Sequence, residues 1–344
     1  MSTKKIAPYL KIFSFAAGVG SLLLGIVGAN ATQYPLEIQN CGRTLIFNKA
    51  PESVVSIGQS STEILYLLNL SEKVKGTALW FSPVLPEYEQ IDAQISRLAD
   101  NEPSFEAVLA KRPELVTTQY EWAIGPMGVV ATYEQFDEMK LPVYVSPTDC
   151  QEKDNLAGGD GLRTSPFTME LIYQEIAELA QIFDIEEQGA TAIATLRARE
   201  QAAIDKVKNL PKDKISALFW FSSPDMNMDP YVAGRLGSPG YIMRTLGLRN
   251  IIESDFDWPN VGWETIARAN PDIIVLADMT RRRYPADSIE AKREYLAKDP
   301  VARLMKAVTN NHLIAMDSQM MNDSIRTIAG IELLADALAK LSIE

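Results

Sequence analysis

Residues able to carry chemistry cluster in a few stretches of this 344-residue chain. Arg281, Arg282, Arg283 and Tyr284 lie in TRRRYP, one residue beyond the apolar run IIVLAD. Tyr120 and Trp122 lie in TTQYEWAIG, after another buried-looking run. Guanidinium groups pair with the oxygens of carboxylates, catecholates or phosphates. Aromatic faces can stack on flat or chelated ligands. In α/β sheets the loops after the strands contact ligands, so both stretches are candidate binding loops. The plainer alternatives are a solvated basic loop and half-buried packing aromatics.

Other chemistries are poorly served. His312 is the single histidine, too few for a zinc or manganese site built from several His with carboxylates. A tyrosine can ligate haem iron, and Tyr120 and Tyr284 are the candidates. No G-x-S-x-G elbow and no G-x-x-x-x-G-K-[ST] loop occurs. A Ser–His–Asp set would have to use His312, at the start of a predicted strand. The chain therefore reads as a binder rather than an enzyme, with no intrinsic cofactor and no direct metal-ion site.

The elements that position these residues alternate. SVVSIG is a short β-branched strand, followed by SSTEILYLLNL with Ile64, Leu65, Leu67 and Leu68 at helical spacing. KVKGTAL is a second strand. PSFEAVLAKRPELVTTQ and YEQFDEMKLPVYVS each read helix, turn, strand. From about Lys214 the same grammar returns: ISALFWFSS and YVAG as strands, then SPGYIMRTLGL as a helix with Ser238 at its cap and Pro239 at its first position. GWETIARANPDIIVLAD, PVARLMKAVTNNHLIAMD and a closing helix in TIAGIELLADALAKL follow. Strands alternating with helices imply parallel sheets in an α/β fold. PSFEAVLAKRPELVTT aligns with VGWETIARANPDIIVL, so Glu106 falls on Glu264, Pro113 on Pro271 and Leu115 on Ile273. The chain is approximately duplicated.

Between the two halves, EEQGATAIATLRAREQAAIDKVKNL is rich in strong helix formers. Ile193, Leu196, Ala203, Ile204 and Val207 give it an apolar stripe. A helix of about 22 residues would span about 33 Å and could brace both halves. This is the later part of a helical stretch from about Pro166 to Leu210, and QEKDNLAGGDGLRTS, just before Pro166, reads as a flexible surface loop.

At the N-terminus, Lys4, Lys5 and Lys11 precede an apolar run ending in ANA at Ala31, the form of an export signal cleaved after Ala31. Its removal takes away three lysines and moves the formal charge from −12 to −15. Such acidity disfavours nucleic acids and anionic membranes as partners. Cys41 and Cys150 are the only cysteines, and an even pair in an oxidising compartment reads as one disulfide. The expected organisation is a signal peptide over 1–31, an α/β lobe over 32–165, a helical region over 166–210 and a second α/β lobe over 211–344.

SVVSIGQSSTEILYLLNL, EPSFEAVLAKRPELV, LGLRNII and VGWETIARANPDIIVL resemble the substrate-binding proteins of ABC importers for iron–siderophores and vitamin B12. The resemblance runs from about residue 35 to 342. It implies two Rossmann-like lobes with parallel sheets joined by a single long helix, a monomer in the periplasm, and a chelate bound in the interlobe cleft. It implies that Trp80, Arg235 and Trp258 reach that cleft; Trp263, beside Glu264 at a helix start, and Trp220, inside a strand, read from their positions as packing residues. It also implies that Glu106 and Glu264, one per lobe, meet arginines of an inner-membrane permease dimer. The cargo it points to is an iron–siderophore or similar metal chelate, with cobalamin, haem or another organic anion as alternatives.

Overall fold

A computed structural model describes residues 1–2, 31–125, 128–156 and 161–341. The leader expected over 1–31 lies almost wholly outside the described residues, and no described helix is long and apolar enough to cross a membrane. Residues from Ala31 onward form one compact unit.

The chain opens with an antiparallel hairpin of β1 (Leu36–Asn40) and β2 (Arg43–Phe47). A five-stranded sheet follows, built from β3 (Val54–Ile57), β4 (Val74–Ala78), β5 (Arg97–Ala99), β6 (Leu115–Thr118) and β7 (Val143–Val145). Its order is β5-β4-β3-β6-β7, and every neighbouring pair is parallel. β3, β6 and β7 are buried along their whole length, which is why they read as continuous apolar runs rather than alternating ones. Helices α1 (Gln59–Leu67), α2 (Glu89–Asp92), α3 (Phe105–Leu109) and α4 (Tyr133–Glu138) connect them. The bond Cys41–Cys150 ties the β1–β2 turn to the segment after β7. A second hairpin, β8 (Lys153–Asp154) with β9 (Leu162–Arg163), leads out of this lobe.

The second lobe contains β10 (Ser216–Ser222), β11 (Tyr231–Val232), β12 (Arg249–Asn250), β13 (Ile273–Asp278) and β14 (Leu313–Asp317). β10, β12, β13 and β14 pair in parallel. β11 departs from the all-parallel expectation: it pairs antiparallel with β10, because a short loop returns the chain directly to the strand it left, whereas parallel pairing needs a crossover. α7 (Ser238–Thr245), α8 (Trp263–Ala269), α9 (Ile289–Lys298), α10 (Lys306–Thr309) and α11 (Arg326–Leu338) belong to this lobe. Gly237 caps α7 and Ser238 is its first residue, one position from the expected start.

Two helices join the lobes, α5 (Met169–Ile182) and the 22-residue α6 (Glu186–Val207). They cross closely at Gly189, where a Cβ would lie 2.5 Å from the Ala180 Cβ. α6 buries Ala192, Leu196, Ala203 and Val207, close to the expected stripe, and its Arg199 pairs with Glu332 of α11 at 2.7 Å. One apolar core runs through α5, α6, α11 and both sheets, with Phe167, Ile172, Leu196, Phe219 and Ile331 among its members. A buried ion pair crosses between the lobes: Arg326 Nε of α11 donates to Glu63 Oε2 of α1 at 2.8 Å, and its Nη2 reaches Oε1 and, at 2.7 Å, the Pro83 carbonyl.

Glu175 of α5 is fully buried, and among the described residues its donors are two hydroxyls, Ser61 Oγ at 2.9 Å and Ser146 Oγ at 2.5 Å. Burial raises its pKa from the ordinary 4.5 to about 7. Between those values the folded chain holds a proton that the unfolded chain has lost, so stability falls as pH rises through the window and levels off above it. Glu175→Gln is expected to remove that slope. Urea denaturation from pH 4.5 to 7.5 should show the variant gaining on the wild type as pH rises, and a constant difference would contradict the burial argument.

Candidate functional site

The carboxyl ends of both sheets open on one cleft of about 690 Å³. Each lobe supplies a stacked aromatic pair to it. From the first lobe come Tyr120 and Trp122, with ring centroids 5.6 Å apart and planes 20° apart. From the second come Phe221 and Trp258, 4.3 Å apart at 29°. Tyr120 sits where it does because Gln119, the residue after β6, folds against the β3–α1 turn. There a Cβ on Gly58 (φ +120°) would meet the Gln119 Cβ at 2.3 Å, so only glycine fits. Gln119 Oε1 accepts from the Ser60 amide at 3.0 Å and its Nε2 donates to the Tyr120 hydroxyl at 3.1 Å. Phe81, Tyr231 and Tyr284 add further rings to the lining.

The floor is a charge network. Arg163 of β9 is almost wholly buried; its Nε contacts both oxygens of Asp257, at 3.1 and 3.2 Å. Its Nη1 donates to the Thr148 carbonyl at 3.1 Å and its Nη2 to Asp323. Lys153 of β8 pairs with Asp149 at 2.6 Å. Burial raises the pKa of Asp323, against the pull of Arg163 and with the push of Asp257. Along the wall, Asp287 accepts from the amides of Arg283 and Tyr284 at 2.6 and 2.8 Å and from the Ser222 hydroxyl. Lys292 lies fully buried in the same lobe, donating to the Ala277 carbonyl at 2.5 Å. Burial lowers its pKa to about 7.

The expected site residues divide cleanly. Tyr120, Trp122, Trp258, Arg281, Arg283 and Tyr284 line the cleft. Trp80 does not: it is buried beneath Arg97, whose guanidinium carbon is 4.1 Å from its ring, and its neighbour Phe81 takes the cleft position. Strand ends alternate sides, so a one-residue offset exchanges core for cleft. Arg235 is exposed and paired with Asp255 outside the lining. Arg282 also points away, 3.4 Å from Glu290. Arg281 Nη1 donates across to the first lobe, to the carbonyls of Trp80 at 3.0 Å and Asp100 at 3.2 Å. Trp263 packs on Trp220 and Tyr295, at 4.7 and 4.9 Å.

Glu106 and Glu264 are exposed, each in the first turn of its helix, α3 and α8. His312 Nδ1 lies 3.1 Å from the Asp272 carbonyl, and no cluster of three metal-ligating side chains occurs among the described residues.

Arg163, Lys153, Asp149 and Asp323 were not anticipated. The segment around 151–165 reads as a polar, glycine-rich surface loop, yet its described ends form the β8–β9 hairpin and carry two of the most buried cations. The signal available was an arginine and a lysine flanking the glycines, which composition alone assigns to solvent.

A two-lobed α/β chain with an aromatic cleft between the lobes is a binding protein in its architecture. Residues 54–320 match the family described as periplasmic binding protein, and the chain belongs to that family. It is 21% identical over 307 residues to the uncharacterized ABC transporter substrate-binding lipoprotein YvrC of Bacillus subtilis (strain 168), covering 89% of this chain and 86% of that one. A periplasmic binding protein from Veillonella parvula DSM 2008 shares the fold with a TM-score of 0.74 and 21% identity, over 90% of this chain and 98% of its own. An ABC-type Fe3+-hydroxamate transport system protein from Saccharomonospora viridis DSM 43017 aligns with a TM-score of 0.69 and 22% identity, over 89% and 99%.

Removing Arg163 leaves Asp257 and Asp323 facing each other without their shared cation. Breaking a buried pair in this way costs roughly 3–5 kcal/mol. Arg163→Met should therefore lose about that much stability in urea at pH 7, and a loss below about 1 kcal/mol would show that the network is well hydrated.

Proposed function

We propose that this chain is the exported substrate-binding component of an ABC importer, a monomer that captures an iron–siderophore or similar metal chelate in the periplasm and hands it to a permease dimer in the inner membrane. The observation that carries the reading is the pair of aromatic stacks facing one cleft from opposite lobes, in a chain of the periplasmic binding protein family. Such faces suit the flat or rounded apolar exterior of a chelate, which needs contact area more than a single strong bond. The mature protein would begin after Ala31, the leader having been removed.

The ligand contacts proposed are Tyr120, Trp122, Trp258 and Tyr284, with Arg281 and Arg283 at the edge. Cobalamin, haem or another organic anion would fit the same cleft. For haem the proximal ligand would come from Tyr120 or Tyr284, both of which line it. The hydroxamate-related protein from Saccharomonospora viridis supports an iron chelate as the first ligand to try. An enzyme on this fold has no specific observation in its favour.

Release requires a docking surface. Glu106 and Glu264 occupy matched, exposed positions, one per lobe. A carboxylate in a first helical turn gains about 0.3–1 kcal/mol from the helix dipole, which explains an acid at each site but not their duplication. Permease arginines are the proposed partners. Calorimetry with a candidate chelate should show Trp258→Ala weakening binding at least tenfold, about 1.4 kcal/mol, and an unchanged Kd would remove Trp258 from the site. The double variant Glu106→Arg, Glu264→Arg should bind as the wild type does but fail to support chelate uptake by cells. Lost affinity in that variant would contradict the separation of capture from docking.

A further inference from the structure

The triple arginine after β13 points, as sequence, to an anionic cargo. The charges around the cleft say otherwise. Five carboxylates line it, Glu102, Asp149, Asp257, Asp287 and Asp323, against Lys153, Arg281 and Arg283. With Arg163 beneath them, five negative charges meet four positive ones. The floor cations are already matched, Lys153 by Asp149 and Arg163 by Asp257 and Asp323. Neither has charge to offer a ligand without first breaking a buried pair.

The edge cations offer little more. Arg281 spends its Nη1 on two backbone carbonyls of the other lobe and its Nη2 on the Asn101 side chain. It therefore retains its charge but few free donors. Arg283 is exposed, 5.5 Å from the Tyr284 ring, and among the described residues it has no carboxylate partner. Two guanidinium charges at the rim, one with few donors left, cannot neutralise a trianion lowered onto a floor of Asp149, Asp257 and Asp323. Each like charge brought within about 10 Å in a partly desolvated cleft costs on the order of 1 kcal/mol.

We infer that the cleft selects chelates of low net charge, with apolar faces against the two aromatic stacks and any acidic group at the Arg283 edge, and that it discriminates against polyanionic chelates of the tris-catecholate type. The inference rests on the chelate-binding reading above and narrows it to a charge class. Repulsion of this kind is a common route to specificity, because it rejects a competitor that contact area alone would admit.

Calorimetry on the wild-type protein at about 0.15 M salt, where interactions between exposed charges reach only about 8 Å, separates the possibilities. The probes are a neutral ferric trihydroxamate, cyanocobalamin, haem and the trianionic ferric tris-catecholate. At least one of the first three should bind a hundredfold or more tighter than the last. A tris-catecholate that binds as tightly as the others overturns the charge inference and leaves the chelate-binding reading standing. Binding of none of the four overturns the chelate-binding reading, and the inference with it. Asp323→Asn, which removes one negative charge from the floor while Asp257 still holds Arg163, should raise the tris-catecholate affinity about tenfold relative to the preferred ligand. An unchanged ratio counts against the floor as the source of discrimination.

Discussion

The architecture depends on how two sheets are kept at a fixed spacing, and the Glu63–Arg326 pair is the directional interaction between them. Its partners are 263 residues apart in sequence and come from α1 of one lobe and the start of α11 of the other. Both side chains are nearly inaccessible to water. A buried ion pair contributes little net stability relative to apolar packing, but it is strongly directional, and separating it exposes two desolvated charges. Opening the lobes at this point would do that. The shared core along α5, α6 and α11 adds the non-directional part of the same constraint. Arg281 adds a third link, from the β13 loop to the Trp80 and Asp100 carbonyls.

The cleft follows from this constraint. Parallel sheets place their loops at the carboxyl ends of the strands, and two such ends held face to face enclose a cavity between walls that each lobe builds independently. The internal duplication explains why both lobes carry an exposed acid at a helix start, whereas the two aromatic stacks come from non-equivalent positions, Tyr120 and Trp122 after β6 but Phe221 in β10 and Trp258 before α8. The electrostatics are not duplicated. The β8–β9 hairpin belongs to the connection between the lobes, and it inserts Lys153 and Arg163 into a set of carboxylates from both sides.

Much of the fold was legible in the sequence because its signals are local. Fully buried strands such as Val54–Ile57 and Ile273–Asp278 show as β-branched or apolar runs, and α6 shows as a long helix-forming stretch. The alignment of Glu106 with Glu264 located two equivalent helix starts. Side-chain direction was less legible. Trp80 and Phe81 are adjacent and similarly apolar, and only the register of the strand end decides which ring enters the core. Among the three arginines of TRRRYP the same geometry sends Arg282 outward to Glu290 and Arg281 across to the other lobe. The floor network was illegible for a different reason. Asp149 and Arg163, Asp257, and Asp323 are brought together from three separate stretches of the chain, and a buried arginine within a glycine-rich polar stretch has no local pattern.

The central claim is that the interlobe cleft carries a metal chelate. Native mass spectrometry of the protein isolated from the exported fraction of its own cells tests it most directly. The account predicts one small molecule per chain, with the isotope signature of a metal, lost when Trp258 and Trp122 are both replaced by alanine. A cargo that contains no metal, or one that survives the loss of both rings, would contradict it.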